Sequence, residues 1–180
     1  MKMRLAIALI FIAALSRLFP HPDNFTPIGA MGLFAAAHFN RNWMMLAVPF
    51  AALFLSDLIL NNVIYSQLYD GFTFVTSWWI YAAFALVMLV GYVMLRGKVS
   101  PARVVIASLM ASAVFFLVTN FSVWEGGYML YPKNFAGLMT CYVAGLPFLG
   151  NTVLGDLVFS AILFGSYEWV LRSKFVAERA

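Results

Sequence analysis

Residues 78–103 read WWIYAAFALVMLVGYVMLRGKVSPAR, an uncharged apolar run from Trp78 to Leu95 that ends in a tight cluster of Arg96, Lys98 and Arg103. As an α-helix the run is about 27 Å long, close to the roughly 30 Å of a hydrocarbon core. Ser100 before Pro101 places a hydroxyl cap ahead of a proline at the first helical position, so a new helix starts there. Apolar block, basic turn and apolar block together describe a membrane hairpin whose turn is held in the cytoplasm by its positive charge.

Outward from this hairpin, further apolar blocks lie at Leu5–Phe19, Pro27–Phe39, Trp43–Leu60, Ala102–Phe121 and Thr152–Leu171. With the N-terminus inside, Lys2, Arg4, Arg41, Arg96, Lys98, Arg103, Arg172, Lys174 and Arg179 fall on the cytoplasmic side. Of the 11 basic residues, that leaves only Arg17 and Lys133 outside. The reading is an all-α integral membrane protein: a six-transmembrane-helix bundle, N-in and C-in, multi-pass in the cell inner (cytoplasmic) membrane, forming one domain over 1–180. A seventh crossing at Phe135–Phe148 would put the C-terminal basic residues outside. That segment is therefore expected as a short helix in a long outer loop before the last span.

A chain of 180 residues with 64% hydrophobic and 10% charged residues has too little polar surface for a soluble domain. The net charge of +4 sits in short loops beside the spans, where orientation and anionic lipid account for it, and no nucleic-acid surface is indicated. Met1–Arg4 followed by an apolar run looks like a signal peptide, but Ala13–Arg17 is a poor cleavage site, and the first span is expected to be retained. The single Cys141 allows no intrachain disulfide, and His21 and His38 lie outside metal-ligand spacing from it. Neither a metal nor another cofactor is indicated.

The block at Pro27–Phe39 is roughly 20 Å long as a helix, too short to cross alone. Either the non-helical Pro20–Phe25 segment completes it and is a candidate wall of a site open to the outside, or the helix is tilted and half-inserted in a locally thinned bilayer. Thr26 is expected to cap this helix ahead of Pro27.

The polar residues converge on that same side. Arg17, Asp57, Asn120 and Asp156 fall near the outer ends of their spans, and Asn24, Asn61, Trp78, Trp124, Glu125, Tyr128 and Asn151 lie in the adjoining loops. These eleven form the expected substrate-binding set, because ionisable groups near spans usually face a bundle interior or a water-filled cavity. An equally direct structural alternative is that Arg17 simply neutralises Asp57 or Asp156. No catalytic residues emerge: no histidine is placed beside a serine, no glycine loop has phosphate-binding context, and no enzyme is expected. Glu168 and Arg172 read as an exposed helix pair.

Leu146-Pro147-Phe148-Leu149-Gly150-Asn151 leading into Thr152-Val153-Leu154-Gly155 is similar to the Pro-Phe-Asn-x-x-Lys-Gly entry to the last helix of a known family. With six spans and a site roofed by outer loops, the chain resembles the substrate-binding S component of energy-coupling factor vitamin transporters. Two residues separate Phe148 from Asn151 here, and Leu154 stands where lysine is usual. Small residues four apart, which in that family contact the coupling subunit from the first helix, occur instead at Gly32 and Ala36. The resemblance implies uptake of a vitamin-like or other small organic micronutrient, energised by a transmembrane coupling subunit with ATPases. The run Pro22–Gly29 also resembles a group of uncharacterised bacterial inner-membrane proteins. Two other classes stay open from the residues: a stand-alone proton-coupled secondary carrier, or a non-transporting membrane accessory subunit.

Overall fold

A computed structural model describes residues 2–126 and 131–177, and the regular structure among them is helical, with no strand. Six α-helices follow in order: α1 (Lys2–Ser16), α2 (Ile28–His38), α3 (Asn42–Ile59), α4 (Trp78–Leu95), α5 (Pro101–Glu125) and α6 (Phe135–Ala177). A π-helical turn over Leu60–Ile64 extends α3. Four stretches are long and apolar enough to cross a membrane: Asn42–Ile64, Trp78–Leu95, Pro101–Glu125 and Phe135–Ser173.

Successive helices run antiparallel. At one end Arg96 donates to the Asn42 side chain (2.7 Å) and to the Asn40 carbonyl (3.0 Å), which ties the α2–α3 turn to the α4–α5 turn. Arg103 joins them through the Met94 carbonyl. This basic end also holds the far part of α6, where Phe164 and Tyr167 pack on Phe34 and His38 of α2. Arg17, the π turn, the start of α4 and the start of α6 gather at the opposite end.

The centre of the bundle is α2. All residues from Ile28 to Ala36 are buried, and the helix touches α1, α3, α4, α5 and α6. Its sequence IGAMGLFAAAH is apolar all round, the signature of a helix with no solvent face. Small residues let the neighbours approach: Ala36 lies against Gly91 of α4, and Gly32 faces Phe84, Val87 and Met88. The four-residue spacing of Gly32 and Ala36 therefore serves packing inside this chain. Elsewhere the helices present apolar side chains outward, among them Leu89 and Val93 of α4, Ile106 and Leu109 of α5, and Leu154 and Ile162 of α6.

Three local expectations are corrected. Phe135–Phe148 is not a separate short helix: it is continuous with the last span through Pro147, and the expected long loop shrinks to the connector between Glu125 and Phe135. A proline removes one backbone N–H, and the chain between flanking helices absorbs that single loss, so Gly145-Leu146-Pro147 does not end the helix. Trp124 and Glu125 are accordingly the last turn of α5 rather than loop residues. Finally, Thr26 does not cap α2, whose N-cap is Pro27 with no side-chain hydrogen bond. The Ser100 cap does form, accepting from the Arg103 amide at 3.3 Å ahead of Pro101.

A Cβ placed on Gly91 would stand 2.9 Å from the Ala36 Cβ and 3.0 Å from the Leu33 Cα, whereas one on Gly165 of α6 meets nothing within 4 Å. Gly91→Ala should therefore destabilise the protein by about 1–3 kcal/mol through forced separation of α2 and α4. Gly165→Ala should be neutral or slightly stabilising. Thermal unfolding of both variants in the same detergent measures the difference, and equal midpoints would contradict the packing described.

Candidate functional site

Because α2 is about 17 Å long, its N-terminus stops well inside the bundle. Its first N–H groups need acceptors that a surface helix would find in water. Asp156 of α6 supplies them, with its carboxylate facing the Gly29 and Ala30 amides. Contact is so close that a Cβ on Gly29 would fall 2.2 Å from the Asp156 Oδ1. Ser112 of α5 donates to the same carboxylate at 2.6 Å, and one turn further along Ser108 and Ser160 bond each other at 3.0 Å. A polar seam thus joins α5, α6 and the start of α2, with the carboxylate favourably placed at a helix N-terminus.

A second buried cluster closes the ends of α1 and α3. Arg17 pairs with Asp57 at 2.8 Å and also donates to Ser56, while Tyr81 of α4 donates to the other Asp57 oxygen at 3.0 Å. The two aspartates thus have different partners and do not form a shared acid pair. Two buried donors, Arg17 Nε and Asn61 Nδ2, have no hydrogen-bond partner among the described residues.

Above the start of α2 lies a cavity of about 750 Å³. Arg17 and Ile28 line its base. The non-helical connector supplies His21, Asp23, Asn24 and Thr26, the segment leading into α4 supplies Thr76 and Ser77, and α4 supplies Trp79 and Ile80. The last turns of α5 contribute Phe115, Thr119, Asn120, Ser122 and Val123, and the α6 side contributes Tyr131, Cys141, Gly145 and Phe148. The connector is fastened to α6 by an Asn151 hydrogen bond to the Asp23 carbonyl (2.9 Å), by Phe25 packing on Phe159, and by the close approach of Thr26 to Gly155. Asn24 takes a left-handed backbone (φ 62°), a conformation asparagine tolerates better than most residues.

Of the eleven residues expected from sequence, Arg17, Asn24 and Asn120 line this cavity. Asp57 is buried behind Arg17, and Asp156 caps α2. Asn61 accepts from Thr76 (2.9 Å), holding the start of α4, and Asn151 anchors the connector. Trp78 is 76% exposed and points away, and its neighbour Trp79 takes the lining position. Trp124 donates to the Pro132 carbonyl (2.9 Å), while Lys133 donates to the carbonyls of Trp124 and Glu125, capping α5. Tyr128 lies outside the described residues. Among the lining groups that sequence reasoning passed over, Thr76, Thr119 and Ser122 carried no distinguishing signal. Which face of a terminal turn looks inward depends on helix rotation, and the all-round apolar pattern does not encode it.

The lining hydroxyls and amide of α5 donate back to their own helix: Thr119 to Phe115 (2.8 Å), Asn120 to Phe116 (2.9 Å) and Ser122 to Thr119 (2.7 Å). Asn120 keeps an amide oxygen that accepts no hydrogen bond among the described residues. Glu168 and Arg172 form the exposed pair expected, at 3.7 Å. No group of three or more His, Cys, Asp or Glu able to hold a metal occurs among the described residues.

Fold and site together define an all-helical protein with four helices of membrane-spanning length and composition and a mixed aromatic and polar cavity at one end of the bundle. Residues 1–178 match the model of a family of unknown function, DUF6580, and the chain belongs to that family. No curated protein and no solved structure matches it.

Two outcomes separate structural from ligand roles here. Asp156→Ala should lower stability by about 1–3 kcal/mol for each α2 amide left without an acceptor, and Asp156→Asn by less, since an amide oxygen still accepts. Unfolding midpoints of the pair in detergent decide this, and unchanged midpoints would remove the capping role. Replacing Asp57 alone by Leu should cost about 3–5 kcal/mol by leaving Arg17 buried and unpaired. Joining it with Arg17→Met should restore most of that loss, and an additive double variant would show the pair to be uncoupled.

Proposed function

We propose that this protein is a membrane-embedded substrate-binding component for uptake of a vitamin-like or other small organic micronutrient. It spans the cytoplasmic membrane six times with both ends inside, so that the cavity faces outward. α1 and α2, each too short to cross alone, complete their crossings with the connector between them. Transport is energised by a separate coupling subunit with ATPases. The distribution of basic residues and the resemblance to energy-coupling factor S components support this orientation and partnership.

The observation that carries the reading is the cavity itself. At about 750 Å³ it lies within the size range of small-molecule sites, and it combines aromatic surface from Trp79, Tyr65, Phe115 and Phe148 with polar groups from Asn120, Thr119 and Tyr131. Aromatic side chains give a ring-containing ligand apolar contact, and the amide and hydroxyl edges give it orientation. The cavity walls come from five helices and a non-helical segment, a form of backbone that survives at membrane depth where it lines a cavity.

Cys141, the only cysteine in the chain, is 2% exposed and donates to the Asn120 carbonyl, so a thiol introduced at half-buried Ser122 of the cavity wall (Ser122→Cys in a Cys141→Ser background) serves as the reporter. A cognate member of a vitamin panel should raise the unfolding midpoint, since a ligand at 100 times its Kd adds about 2.7 kcal/mol, and should slow alkylation of the introduced thiol by a maleimide. Trp79→Ala and Asn120→Ala should each weaken binding roughly tenfold with little change in apo stability. Failure of every panel member, together with native mass spectra of the gently purified protein carrying lipid only, would count decisively against a binding component.

A further inference from the structure

We infer that the cavity selects neutral or cationic ligands and rejects carboxylates and phosphates, and that Asp57 sets this preference by masking Arg17. The inference rests on the binding role proposed above and adds the charge class of the ligand.

Arg17 is the single Lys or Arg among the described lining residues, and it is where an anionic ligand would bind. Two of its three guanidinium nitrogens are already engaged, one lying 2.8 Å from the Asp57 carboxylate and another donating to Ser56, while Nε is buried without a partner among the described residues. Asp57 is 2% exposed and receives a further hydrogen bond from Tyr81, so it is held in place rather than free to swing aside. An incoming carboxylate would have to displace this buried partner, which leaves an uncompensated buried charge. The other cation at this end, Lys133, is bound to the carbonyls that end α5. Asp23 adds a carboxylate to the lining and forms no ion pair among the described residues. The cavity therefore combines a neutralised base with an acidic, aromatic rim, which suits a neutral ring or an amine and repels an acid. Asp57 does not line the cavity and acts through Arg17, as a positioning residue for specificity.

The test reads cavity potential without knowing the ligand. In a Cys141→Ser background, Ser122→Cys places one half-exposed thiol in the cavity wall. Its rates of modification by a trimethylammonium methanethiosulfonate and by the sulfonate analogue are measured in detergent at pH 8 and normalised to a free thiol. The cationic reagent should be favoured in the otherwise unchanged protein. Adding Asp57→Asn, which is isosteric and still accepts from Tyr81, should shift the ratio toward the anionic reagent by roughly tenfold, the effect of one unmasked charge at cavity distances. If that variant does not fold, the doubly neutral Arg17→Met/Asp57→Leu protein takes its place and should keep the starting ratio. An anion-favoring ratio without Asp57→Asn, a ratio that Asp57→Asn leaves unchanged, or a large shift in the doubly neutral variant would overturn the charge assignment alone. A thiol that neither reagent reaches would instead remove the accessible cavity and with it the binding reading.

Discussion

The fold depends on satisfying the N-terminus of a helix that begins inside the bundle. α2 is buried on every side from Ile28 to Ala36, so its first amides have no water to turn to. An unsatisfied backbone group in an apolar interior costs several kcal/mol. The Asp156 carboxylate, reaching from α6 and steadied by Ser112 of α5, removes that cost and at the same time fixes the depth of α2 against its neighbours. Gly29 is small because the carboxylate must come this close. One interaction thus couples the centre of the bundle to the two helices that flank it most closely on this side.

The cavity follows from the same constraint. A full-length second helix would fill the space above Ile28, but a late start leaves that volume to the connector, which is too irregular to pack it. The connector does not wander, because Asn151, Phe159 and Gly155 hold it against α6. The opposite wall is set by Asn61 and Asn62, whose side chains bind Thr76 and the Thr73 backbone and so position the start of α4. Rigid walls around an unfilled volume are what a preorganised binding site requires.

The sequence made the all-helical, apolar character of the chain legible, and α4 was read to the residue, because an uncharged run bounded by Ser77 and Arg96 has sharp ends. The shortness of α2 was visible for the same reason. The continuity of α6 was not, since a proline after glycine marks a helix stop in water and only a bend between packed helices. The set of polar residues near the cavity end was also visible, but their roles were not. Asp57, Asn61, Asn151 and Asp156 each bond another element of the chain, and such partners come from distant segments that local spacing does not reveal. Trp78 and Trp79 were indistinguishable by composition, and a helix rotation of about 100° per residue decides which of them faces inward.

These assignments change what a polar residue near a span signifies in this chain. The buried charges and strong acceptors are consumed by the architecture: Asp156 holds α2, Asp57 holds Arg17, and Asn61 holds the start of α4. In an environment without water each of these groups is too costly to leave waiting for a ligand that is sometimes absent. The surface left for recognition is therefore built from groups that tolerate vacancy, namely aromatic faces, hydroxyls already bonded to their own helix, and the amide oxygen of Asn120. A cavity of that make-up stays stable when empty and gains most of its affinity from contact area and a few oriented hydrogen bonds. Negative charge on a ligand would find little to bind there, so that discrimination against acids arises from what the fold has already used up.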